Sequence, residues 1–149
     1  MTARRLVSII AIALMTVVGC SSPDSNSADQ KDKIRHDPDP LTKRFPLIEN
    51  PTSVSWITWN NQGGRAPGPT THWIQAVVEL QPEVANGLRA SFKLSISEPN
   101  QFESTVRSSI PPGPYMSGAE FDEAFSKNGW KVGVHLQADG NILLIDAVD

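Results

Sequence analysis

The chain has 149 residues, 13 of them basic and 16 acidic for a formal charge of −3, with 39% apolar residues and a single cysteine. One cysteine leaves no intrachain disulfide, so the fold must rest on its core. Loss of the first nineteen residues, which carry Arg4 and Arg5, takes the charge to −5; that balance argues against nucleic acid and against anionic lipid as partners of the folded part.

Arg4 and Arg5 precede an apolar run from Leu6 to Val18, the form of a secretory signal over residues 1–19. The run falls short of the roughly 20 apolar residues that a membrane span needs. It ends in Val17-Val18-Gly19-Cys20, which resembles the bacterial lipobox. The resemblance implies that the Cys20 thiol takes a diacylglyceryl group and becomes the mature N-terminus. The partner it implies is the membrane itself, reached through palmitate-type acyl chains, with the protein lipid-anchored on the extracytoplasmic side of the cell membrane. Two acyl chains anchor stably where one binds only marginally.

Residues 20–40 read as the lipidated cysteine and a disordered tether, because Ser, Asp, Asn, Gln, Lys and Pro surround one large apolar residue, Ile34. Such a stretch cannot bury enough surface to offset its ordering entropy. As a flexible coil it spans roughly 25 Å. His36 falls here and reads as a solvated linker histidine.

Residues 41–149 form a single α+β domain of ordinary size. Val54 to Asn60 and His72 to Leu80 are rich in β-branched and aromatic residues and predict two strands. The run from Asn61 to Thr71 between them is too long for a tight turn and too rich in Gly and Pro to extend either strand. Pro82 suits the first turn of a helix carrying Val84 and Leu88 on one face. From Phe92 the spacing changes to an alternation through Leu94 and Ile96, and Pro99 to Met116 reads as irregular chain anchored by Val106 and Ile110. Ser117-Gly118-Ala119-Glu120 has the form of a capping box before a short helix that buries Phe121, Ala124 and Phe125 and stops at Asn128-Gly129. The last element is a hairpin, Trp130 to Gln137 and Ile142 to Val148, turning at Asp139-Gly140. Pairing Leu136 with Leu143, Val134 with Ile145 and Val132 with Ala147 gathers apolar residues on one face, and a one-residue slip would break that set. The expected architecture is an antiparallel sheet of four to five strands with two short helices on one face.

Chemistry is sparse. The only thiol is the acylated one, the serines lack a Gly-x-Ser-x-Gly elbow, and His36, His72 and His135 are not at metal-ligand spacing. No catalytic residue, metal or cofactor is expected. His72 and His135 can meet across a sheet near Glu79 or Asp146 only if the strand order allows it. Trp56 and Trp59 are three apart and point to opposite faces of one strand. One of them, or Trp73, then lies near solvent beside Arg65, unless the Phe45 to Ile48 segment covers that side. Arg65, Trp59 and Trp73 are the candidate binding residues, since Tyr and Trp beside Arg mark contact surfaces.

Arg65-Ala66-Pro67-Gly68-Pro69, Trp73 to Val78 and Leu41 to Pro46 together resemble a group of small uncharacterised secreted or lipid-anchored proteins of actinobacteria. The resemblance implies no activity, and it implies the outer leaflet of the cytoplasmic membrane, facing the wall. The expected function is a lipid-anchored, non-catalytic binding or accessory module of the cell envelope, with a protein, peptide or glycan partner. Alternatives are a small envelope enzyme of hydrolase type using His72 or His135 with a carboxylate, and a purely structural envelope lipoprotein.

Overall fold

The computed structural model describes residues 31, 33–62, 68–99, 101–127 and 129–149. In chain order the elements are α1 (Asp39–Arg44), a 3₁₀ turn (Pro46–Ile48), β1 (Ser53–Asn60), β2 (His72–Glu79), α2 (Pro82–Ser91), β3 (Ser95–Ile96), α3 (Ser104–Arg107), β4 (Tyr115–Ser117), α4 (Ala119–Phe125), β5 (Lys131–Gln137) and β6 (Ile142–Val148). The strands make one sheet in the order β1-β2-β6-β5-β4-β3, every neighbour antiparallel. The α+β class holds, with six strands where four or five were expected. The addition is the short β4, at the end of the stretch whose Pro and Ser content made it read as irregular; β3 lies in the alternation through Leu94 and Ile96.

The β5–β6 hairpin has the register that the alternation dictates, with Leu136 opposite Leu143, Val134 opposite Ile145 and Val132 opposite Ala147. Those residues, together with Trp56 of β1 and Ile74, Ala76 and Val78 of β2, form the larger core. Three helices cover it rather than two. α1 and the following turn bring Leu41, Phe45 and Ile48, α2 brings Val84, Ala85 and Leu88, and α4 brings Phe121 and Phe125. Pro82 occupies the first turn of α2, where a missing N–H costs nothing.

The opposite face is also covered, though not by Phe45 to Ile48, which lie in the first core. Ile57, Val77 and Leu144 pack instead under Phe102, Val106 and Tyr115, with Ile34 and Ile110 at the margin. The segment read as irregular is thus a second layer, containing α3. Gln75, buried on β2, fastens it: its Nε2 donates to Gln101 O at 3.2 Å and to Asp146 Oδ1 at 3.1 Å, and its Oε1 accepts from Glu103 N at 2.8 Å.

β4 pairs β5 only at Leu136 and Gln137, so the rest of that β5 edge needs other acceptors. α4 provides them. Asp122 Oδ1 accepts from Val134 N at 2.9 Å and Ser126 Oγ accepts from Val132 N at 3.0 Å. The two side chains sit one helical turn apart, matching the period of two on the strand. The capping box does not form, because Ser117 is the last residue of β4 and Gly118 becomes the N-cap, with no side-chain cap bond. Gly118 is required for another reason: a Cβ there would collide with the Lys93 carbonyl oxygen.

The domain begins before Leu41. Arg35 exchanges backbone hydrogen bonds with Trp56 at 2.8 and 3.0 Å, the Trp56 indole N–H donates to Asp37 O at 3.0 Å, and His36 Nδ1 lies 2.9 Å from Val54 O. Residues 34–37, assigned to the tether by composition, therefore lie along the outer edge of β1, where His36 is exposed to solvent but bonded to the strand. Among the described residues no helix is long and apolar enough to cross a membrane.

Candidate functional site

One end of the sheet collects most of the side chains with chemical potential. β1 finishes there, β2 starts, β6 finishes and β5 starts, so Trp59, Trp73, Val148 and Lys131 stand in one row across four strands. The odd-numbered members of β1 and β2 point to the second face. Trp59 and Trp73 are therefore cross-strand neighbours, with ring centroids 5.9 Å apart and planes 10° from parallel. Both are half-buried. The Lys31 ammonium lies 5.3 Å from the Trp59 ring centroid and pairs with Glu103 at 2.9 Å, so one side of the stack is already lined by the chain entering the fold.

The loop above this pair is closed at its neck. Asn61 Oδ1 accepts from Thr71 N at 3.0 Å, Asn61 Nδ2 donates to Pro69 O at 3.2 Å and Gln62 Nε2 donates to Thr70 Oγ1 at 2.9 Å. Arg65 and Cys20 lie outside the described residues. Of the three candidate binding residues, Trp59 and Trp73 are brought together.

On the first face of the same end, His72 meets Asp149, a residue that sequence reasoning did not pair with it. The His72 backbone N–H donates to Asp149 Oδ1 at 2.6 Å and His72 Nδ1 lies 3.0 Å from Oδ2. The backbone donation chiefly holds the Asp149 carboxyl below its ordinary value of 3.8; desolvation opposes it, while the His72 ring and the Arg44 charge assist. No family model, curated protein or solved structure matches the chain. Function must be read from these side chains alone.

Beside Asp149 stands Trp130, the residue before β5, and the Arg44 guanidinium lies 4.2 Å from its ring centroid. Arg44, Lys43, Lys127, Trp130 and Pro40 line a concavity of about 410 Å³. Sequence reasoning missed this group because Lys43 and Arg44, on α1, are far along the chain from Lys127, which follows α4.

His135 lies elsewhere, buried on the second face. Desolvation lowers its imidazole below the ordinary 6.5, against the raising effects of the Asp122 charge, a bond to the Glu98 backbone and the Asp146 charge. The strand order thus gives each histidine a carboxylate, but separates the two histidines. Among the described residues no group of three or more His, Cys, Asp or Glu is placed to hold a metal ion.

Proposed function

We propose that the chain is a lipid-anchored, non-catalytic binding or accessory module of the cell envelope, held at the membrane through diacylglyceryl Cys20. It engages an envelope peptide or glycan with the loop end of its sheet. The observation that carries the reading is the Trp59–Trp73 stack, half-exposed at the base of the 61–71 loop. A buried core would hold such rings inside it; a stacked pair at the rim presents flat apolar edges of the kind on which sugar and proline rings pack. Arg65, in that loop, supplies a charge to orient the partner.

The test has two arms. Fractionation and mass measurement of the mature N-terminus should show diacylglycerol on the wild type and none on Cys20→Ser. Titration of the purified protein with soluble wall-glycan fragments should change tryptophan emission saturably, and Trp73→Ala should abolish that change. A Trp73→Ala protein that binds as the wild type does removes the stack from consideration.

A second reading, a small envelope enzyme, draws on the His72–Asp149 pair, in which the carboxylate fixes the imidazole by one nitrogen and leaves the other available as a base. Ester or amide hydrolysis lost in His72→Ala, with Cys20 intact, would favour it over the first.

A further inference from the structure

We propose that the concavity around Trp130 is a phosphate site that takes the headgroup of an anionic phospholipid, with Lys43, Arg44 and Lys127 as its cationic ligands. Among the described residues the ion pairs are Lys31–Glu103, Arg35–Asp37 and His72–Asp149, so all three of these exposed cations lack one. The Asp149 carboxylate senses Arg44 but is engaged at both oxygens by His72. Lys43 and Arg44 taken alone suit the last turn of α1, and Lys127 lies two residues past the end of α4. Their convergence on one concavity of about 410 Å³ is a different matter, because like charges repel unless an anion lies between them.

The geometry fits a phosphate. The Arg44 guanidinium carbon lies 4.2 Å from the Trp130 ring centroid, a contact that limits the freedom of the fork while its N–H groups can still make paired bonds to phosphate oxygens. Lys43 and Lys127, in the lining of the same concavity, add point charges. The negative net charge, which argues against anionic lipid for the folded part as a whole, weighs less at a local cluster of cations, since at physiological salt a charge is felt over only about 8 Å.

The source of the phosphate follows from where the chain leaves the fold. Lys31 lies on Trp59, at the same end of the sheet as Trp130, as the row from Trp59 through Trp73 and Val148 to Lys131 shows. Cys20 is eleven residues before Lys31, at most about 40 Å of extended chain. Basic residues beside an indole suit the headgroup layer. This orientation rests on the lipid-anchored reading; the site's chemistry does not. Trp130 faces the first layer and the Trp59–Trp73 stack the second, so a headgroup in the concavity leaves the stack clear.

The experiment uses the full chain purified in neutral detergent and follows the Trp130 indole N–H resonance, assigned with Trp130→Phe. Mixed micelles containing phosphatidylglycerol should shift it saturably, and micelles containing phosphatidylcholine should not. Lys43→Gln and Lys127→Gln should each weaken binding about fivefold, while Lys93→Gln, beside β3, should leave it unchanged. No shift with phosphatidylglycerol, or an equal shift with phosphatidylcholine, overturns the proposal. Inorganic phosphate binding as tightly as phosphatidylglycerol overturns the lipid source. Persistence of the phosphatidylglycerol shift in a protein that carries no diacylglycerol would uphold the site while the anchoring reading fails.

Discussion

Replacing Asp122 with alanine isolates the contact by which a short helix completes a strand. Val134 is fully buried, and its N–H has Asp122 Oδ1 at 2.9 Å as acceptor. Alanine leaves that donor unsatisfied, which costs about 1–3 kcal/mol, and the upper part of the range applies because the lost acceptor is charged. For a domain of about 120 residues each kcal/mol moves the melting temperature by about 4 °C, so a loss of roughly 2 kcal/mol gives about 8 °C. Asp122→Asn keeps a carbonyl acceptor and should cost less than about 1 kcal/mol. Glu123→Ala, exposed on the same helix, serves as the control within about 0.5 kcal/mol. Thermal and urea unfolding followed by far-UV circular dichroism measure all three. Equal losses for Asp122→Ala and Glu123→Ala would refute the idea that α4 satisfies β5.

A chain cut before Leu41 should lose about 2 kcal/mol relative to one cut before Lys33, since the cut strands the buried Trp56 indole N–H; urea unfolding followed by tryptophan emission compares them, and identical midpoints would return residues 33–40 to the tether. Gly118→Ala should destabilise by about 1–3 kcal/mol, because the facing Lys93 carbonyl is backbone. Gly87→Ala, inside α2 with open space around it, should instead stabilise by about 0.5–1 kcal/mol, and calorimetry reads both signs. The His135 imidazole is held below its ordinary 6.5 by burial. Between its folded and unfolded values the unfolded chain binds more protons, so stability is full above about pH 6.5 and falls as pH drops through the window below it. His135→Gln should flatten that slope in urea midpoints taken from pH 5 to pH 8, and an unchanged slope would exclude His135 as its source.

The hairpin of β5 and β6 was legible because two local signals agree, an alternation of apolar residues and an Asp-Gly turn that fixes its phase. The same holds for α2, where Pro82 marks the start and Val84 and Leu88 mark the face. Arg35 was not legible: it pairs with Trp56 through backbone atoms, which leave no mark on composition. Phe102 went unnoticed as an anchor because Pro and Ser around it give no period, although a large aromatic in such a stretch is a signal for burial. The His72–Asp149 pair and the group around Trp130 depend on β2 lying beside β6 and on α1 and α4 ending at one corner. Strand order is a property of long-range packing, and no local pattern carries it. Trp59 and Trp73 were singled out separately by their types; that they stack required the β1–β2 register.

β6 lies between β2 and β5, and so joins the hairpin of β1 and β2 to the rest of the sheet. Until residues 142–148 are synthesised, the strand made from residues 72–79 has one neighbour instead of two, and the first core lacks Leu143, Ile145 and Ala147. Sequence-distant pairing of this kind slows folding, because loop closure precedes any reward. While that last strand is unmade, the hairpin of β1 and β2 has no strand to join it to β5, β4 and β3, so the sheet closes only when the chain is complete to residue 148.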